Sequence, residues 1–202
     1  DNPPAASHLY LANAMQQSKL MQQQILDTAL QLGNKCGWEQ LQLHQLAECL
    51  NLSLADIRQY YPQKDALADA WFDRAELTML NLKPAAGTSK CEILELAICS
   101  WLQALAPYRQ LSAQMLLYKL EPGHVHLQGA ALLRISRTVQ WLRELARLEA
   151  RGVSRIGQEL ALSALFVSVF ICWLNDSSDT QRCSLKLLHN KLVLADAVKL
   201  WR

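Results

Sequence analysis

The side chains best placed to do chemistry in this chain are suited to recognition rather than to reaction. Over residues 43–60 the sequence reads LHQLAECLNLSLADIRQY. Leu46, Ala47 and Leu50 share one apolar face of a short helix, while Ile57 and Tyr61 pin a second short helix from inside. Asn51 falls in the turn between them, where a left-handed backbone is needed and Asn is the best substitute for Gly. Ser53 is the expected N-cap of the second helix. Its outward positions are then Leu54, Ala55, Asp56, Arg58 and Gln59, a mixed set of donors, acceptors and apolar contacts. Apolar pegs on both helices and a tight turn are what a helix-turn-helix requires. An ordinary three-helix corner has the same spacing, so spacing leaves both readings open.

Patterns for covalent or redox chemistry are missing. The chain has no G-x-S-x-G, no P-loop, no dinucleotide fingerprint and no H-E-x-x-H, so neither an enzyme nor a cofactor is expected. His124 and His126 beside Glu121 resemble a ligand cluster only loosely. Alternate residues at a helix start diverge in direction, and no metal site is expected there.

The elements that must hold these residues are helices. The 202 residues are 51% apolar and 19% charged, with a net charge of +2, which excludes disorder as the main state. Forty Leu stand against seven Ile and seven Val, a bias toward helix over strand. An all-α chain of about nine helices is expected. Residues 1–17 read as a polar lead-in, loose at its start. Helices follow at 18–35, 43–50, 54–60, 64–81, 89–105, 108–120, 125–149, 155–174 and 179–200. They are punctuated at Cys36-Gly37, Pro62, Pro84 to Gly87, Pro107, Glu121-Pro122-Gly123, Arg151-Gly152 and Asn175 to Ser178. Six scattered cysteines with no C-x-x-C pair point to reduced thiols in the cytoplasm. The run 161–174 spans about 21 Å as a helix, short of the ~30 Å membrane core, and reads as a helix buried on nearly all sides. No signal peptide is visible and no membrane insertion is expected.

The stretch GWEQLQLHQLAECLNLSLADIRQYYPQKDALADAWFDRAE, with the preceding ILDTALQLGNKCGW, resembles the N-terminal domain of the TetR family of bacterial transcriptional regulators. The likeness covers about residues 20–76. It rests on the Leu-x-x-Leu-Ala second helix, the Ser at the third-helix cap, and the aromatic-Pro-x-Lys run into the fourth helix. The remainder is similar only in the succession of long helices. The resemblance implies a helix-turn-helix DNA-binding domain over 1–76 and a ligand-binding and dimerisation domain over 77–202. It implies that Lys64 and the backbone-facing Gln42 and His44 meet phosphates, while Ser53, Leu54, Ala55 and Asp56 reach base edges in the major groove. Arg58 stands where most members carry a phosphate-binding Tyr, and Gln59 and Tyr60 follow it. Asn51 replaces the usual turn Gly. Asp56 repels phosphate but is able to accept from cytosine N4.

Charge divides unevenly at this boundary. Residues 1–76 hold five Lys and Arg against nine Asp and Glu, net −4, and residues 77–202 carry net +6. Non-specific DNA affinity comes from neutralising phosphates, so an acidic head argues for a second reading. The lipid-binding accessory proteins of ubiquinone biosynthesis are similar in fold and do not read DNA. The two expectations are thus a ligand-responsive repressor on a palindromic operator, and a carrier of a lipid or other apolar ligand.

In the larger part, the apolar run of 155–174 and a stripe of Leu185, Leu188, Leu192 and Ala195 predict pairing of the last two helices with those of a second copy. The resemblance implies a four-helix dimer interface there. Trp101, Met115, Tyr118, Trp141 and Phe166 lie at expected inward positions on several long helices, as candidate walls of a cavity for an apolar small-molecule effector. Arg134 and Arg137 are expected on the solvated surface, with an acidic ligand as the alternative partner for one of them.

Overall fold

The computed structural model describes residues 5–120, 125–178 and 180–201, the side chains of 5–9, 11, 120, 125 and 126 excepted. Of the candidate trio, Glu121 and His124 lie outside the described residues, as does the side chain of His126. Among the described residues there are nine α-helices, one short 3-10 turn and no strand. They are α1 (Ala5–Cys36), α2 (Leu43–Leu50), α3 (Leu54–Tyr60), α4 (Lys64–Leu80), α5 (Lys90–Leu105), α6 (Arg109–Leu120), α7 (Val125–Leu145), α8 (Gly152–Asn175) and α9 (Arg182–Ala197). The chain divides into two compact units, 1–71 and 72–202, with the boundary inside α4 rather than at residue 76.

In the first unit, Ile25, Leu26, Ala29 and Leu30 of α1 are buried together with Leu46 and Ala47 of α2 and Ile57 of α3. Gly37, at φ 91°, ends α1 by bonding back to Gly33 O at 2.8 Å, the left-handed cap that Gly adopts without strain. One expectation is corrected here: α1 begins at Ala5, so most of the lead-in is helical. Residues 12–20 are exposed throughout, and their Ala, Met, Gln and Leu hold a helix by propensity rather than by a buried stripe.

The second unit is built on α8. Leu162, Leu165, Phe166, Val169, Phe170 and Trp173 are buried, and the helix packs against α5, α6, α7 and α9. At 24 residues α8 is long and apolar enough to cross a membrane, yet this face is the core of a helical bundle. Its opposite side is open. Val153 is 86% exposed, Leu160 67% and Ile171 50%, with Gly157 and Ala164 exposed on the same stripe. The expectation of burial on nearly all sides therefore holds for only one side of α8 in the single chain. In α9 the stripe also needs correction. Leu188 and Leu192 are fully buried within the unit, while Val193 and Leu194 face outward.

The link from α8 to α9 is held by one carboxylate. Asp176 Oδ1 accepts from Ser178 N at 3.0 Å and Ser178 Oγ at 2.6 Å, while Oδ2 accepts from Ser184 N at 2.9 Å and Ser184 Oγ at 3.0 Å. These bonds, the Ser178 side chain's first, hold the Asp176 carboxyl far below the usual carboxylate range.

Candidate functional site

The helix-turn-helix is assembled from the turn outward. Asn51 takes φ 53° and ψ 40°, and the next amide, Leu52 N, reaches back to Ala47 O at 2.9 Å. That closes α2 with a left-handed residue and turns the chain into α3 within three residues. Ile57 and Tyr61 are buried beneath α3, and Tyr61 Oη donates to Gln22 O of α1 at 2.9 Å. The bond fixes the roll of α3 about its axis, which decides which of its side chains face outward.

At the start of α3, Ser53 and Asp56 form a capping box. Asp56 N donates to Ser53 Oγ at 3.1 Å, while Ser53 N and Ser53 Oγ donate to Asp56 Oδ2 at 2.9 and 2.6 Å. The Ser53 hydroxyl bond leads in lowering the Asp56 carboxyl below its ordinary value. Both residues, expected at base edges, are exposed and also hold the first turn of α3. Leu54, Ala55, Arg58 and Gln59 are exposed, Leu54 by 55%, and Tyr60 is half-buried. With Asp56, which is exposed as well, these four side chains make up the outward face of α3.

Gln42 and His44 are exposed at the start of α2, and Gln42 N donates to Gln45 Oε1 at 3.4 Å. Lys64, in the first turn of α4, is turned onto the link between α1 and α2. Its Nζ donates to Glu39 O at 3.1 Å and lies 5.2 Å from the centroid of the buried Trp38 ring. Burial lowers the ammonium from its ordinary value.

The second unit carries a pocket of about 380 Å³, partly open to solvent, bordered by α4, α5, α6, α7 and α8. Its aromatic wall is a cluster centred on Trp101. Phe72 stacks on it at 6.2 Å between centroids, and Phe166 and Phe170 meet it edge-on at 4.9 and 5.0 Å. Such pairs contribute roughly 0.5–1.5 kcal/mol each beyond area burial.

Of the five candidate cavity residues, Trp101 and Phe166 line the wall and the other three do not. Leu116 and Lys119 are the α6 residues that face the cavity. At about 100° per residue, Met115 lies ~100° and Tyr118 ~200° around the helix from Leu116. Met115 is buried elsewhere in the core, and Tyr118 is half-buried. Trp141 lies ~120° around α7 from the cavity-lining Ile135. It is 43% exposed and borders a separate polar groove with Arg143, Arg155 and Glu159.

Sequence reasoning missed Phe72, Phe170 and Lys119, and it expected Arg134 on the solvated surface. Instead Arg134 lines the cavity, with Nη1 2.7 Å from Asp73 Oδ1 and its guanidinium 5.9 Å from the Phe72 ring centroid. Arg137 shares that oxygen at 3.0 Å. Next to this pair, Thr138 Oγ1 lies 3.4 Å from Glu76 Oε2. Glu76 is buried, and burial raises its carboxyl above the usual value. A spacing signal for this wall does exist: Gln128, Ala131, Leu132, Ile135 and Thr138 of α7 recur at helical period on one face.

No protein-family profile matches the chain, and no curated protein does. Solved structures do match. A TetR transcriptional regulator from Nitrosomonas europaea is 37% identical with a TM-score of 0.77, over 88% of this chain and 98% of that one. A TetR transcriptional regulator from Rhodococcus sp. RHA1 shares the fold at a TM-score of 0.64 and 17% identity, covering 89% of this chain and 96% of that one. Identity at the first level across almost the full length of both chains, together with the all-helical architecture, places this chain in the TetR family of transcriptional regulators.

Proposed function

We propose that the protein is a homodimeric, ligand-responsive repressor acting in the cytoplasm. In this reading the N-terminal part, residues 1–76, binds a palindromic double-stranded operator. The part from 77 to 202 binds an apolar small-molecule effector and a second copy of the chain. The observation that carries the reading is the helix-turn-helix with its roll fixed by Tyr61 and five side chains of α3 left facing outward. Leu54, Ala55, Arg58 and Gln59 are the base-reading and backbone-facing set. Gln42, His44, Tyr60 and Lys64 contact the phosphate backbone, and Ser53 and Asp56 present the helix. The effector occupies the cavity beside Trp101 and Phe166. The dimer is favoured by the outward apolar stripes of α8 and α9, which pair with their symmetry mates as a four-helix contact. Effector binding shifts the population toward heads that no longer match the operator. The protein acts by binding, not by catalysis.

The test is fluorescence anisotropy with DNA from the gene's own upstream region, across a salt series. Binding that weakens steeply with salt is expected, and no binding at low salt would sink the proposal. Light scattering checks the dimer separately, since a mass near 22.8 kDa, that of one chain, contradicts it. The net charge of −4 over residues 1–76 favours a second reading, a carrier of lipid or another apolar ligand that no longer reads DNA. Lipid co-purifying with a protein that ignores DNA decides for it.

A further inference from the structure

We infer that the cavity takes an amphipathic molecule with an apolar body and an anionic head, and that Lys119 receives the head. The inference rests on the reading of this cavity as the effector site. Trp101, Phe166 and Phe170 supply an apolar wall on which a hydrocarbon body is desolvated. The charged side chains among the described lining residues are Lys119 and Arg134, both cationic, and no carboxylate is among them. Arg134 is already turned onto Asp73, whose Oδ1 also takes Arg137, so two guanidinium groups share one carboxylate. Glu76 also lies within electrostatic reach of both guanidinium groups. Glu76, behind Thr138, holds its proton more readily than an ordinary carboxyl because it is buried.

Lys119 is 3% exposed, near the end of α6. Lys119 borders this partly open pocket, and a buried cation prefers an anion over a neutral group of equal size more strongly than it does in water. Its three N–H donors let it keep a protein partner and still donate to a ligand oxygen. The result is a discriminating site, in which the walls select for an apolar body and Lys119 for the charge of the head.

Calorimetric titration of the full chain with decanoate, decyl phosphate, 1-decanol and decyltrimethylammonium, each kept monomeric, tests this. Decanoate or decyl phosphate should bind about tenfold or more tightly than 1-decanol, with the ammonium weakest. The tighter of the two anions names the head group. Lys119→Met should abolish the preference for the anions over 1-decanol, while Lys119→Arg should keep it. Circular dichroism checks that the variants fold, and Lys119→Gln replaces the Met variant if that one does not. Equal binding of anion and alcohol overturns the inference while leaving the cavity as a binding site, as does a preference that survives the Met and Gln variants. Failure of all four compounds to bind overturns the effector reading itself.

Discussion

The two units of the chain bury their apolar residues to different ends. The unit of residues 1–71 packs Ile25, Ala29, Leu46, Ala47 and Ile57 with the buried rings of Trp38, Tyr61 and Trp71, around helices whose ends are tied by local polar bonds. The unit of residues 72–202 gathers Phe72, Trp101, Phe166, Phe170 and Trp173 and leaves a chamber beside them. Rings are buried in both units, so ring size is not what separates them. The first unit leaves its candidate residues on the outer face of α3, and the second gathers its candidates around a pocket beside a ring cluster.

The sharpest way to break that contrast is to remove a ring and a peg. Trp101→Ala should cost about 3–5 kcal/mol and Ile57→Ala about 2–5 kcal/mol, both read from urea unfolding. The first should spare binding by the helix-turn-helix, and the second should abolish it. If Trp101→Ala instead costs under ~1 kcal/mol, the ring cluster is not what holds the larger unit together.

A smaller effect is expected at the display face. Lys64→Ala should weaken binding to every DNA sequence alike and lower the salt slope by about one. A loss confined to one sequence would move Lys64 from backbone contact to base reading.

The two units also contain carboxyls displaced in opposite directions. Glu76 is raised by burial, so its folded form favours the proton. Its contribution is most favourable below its ordinary pKa of 4.5 and is lost as pH rises through the raised folded value. Glu76→Gln should therefore raise the melting temperature at pH 7 and change it little at pH 4. Asp56 and Asp176 are lowered by their hydrogen bonds, so their contributions are full above the ordinary Asp value of 3.8 and fade as pH falls through the folded values. Hydrogen exchange on acidification should show the first turns of α3 and α9 loosening, with Asp56→Asn and Asp176→Asn removing that dependence.

Legibility in the sequence followed the same divide. The bounds of α2 and α3 are those read from sequence, because Asn51, Ser53 and the apolar pegs act within a few residues of one another. The end of α7 was placed at 149, yet the helix stops at Leu145. Arg147 takes φ 51° and Leu148 N returns to Arg143 O at 3.0 Å, a left-handed stop made without Gly. The start of α1 was missed because propensity without apolar periodicity leaves no stripe to read. Cavity walls were the least legible. Whether Leu116 or Met115 faces a space depends on the roll of α6, which neighbours distant in sequence decide. The Asp56 half of the capping box went unread, although S-x-x-D carries that pattern beside any role at a base edge.

That capping box has a thermodynamic consequence. Ser53 and Asp56 satisfy each other through three hydrogen bonds before any partner arrives. The first turn of α3 is thus formed in the free protein, and little chain has to order when its outer face is covered. Association through this face should show a heat-capacity change in line with the apolar area that the contact itself buries, without the larger change that accompanies folding on binding.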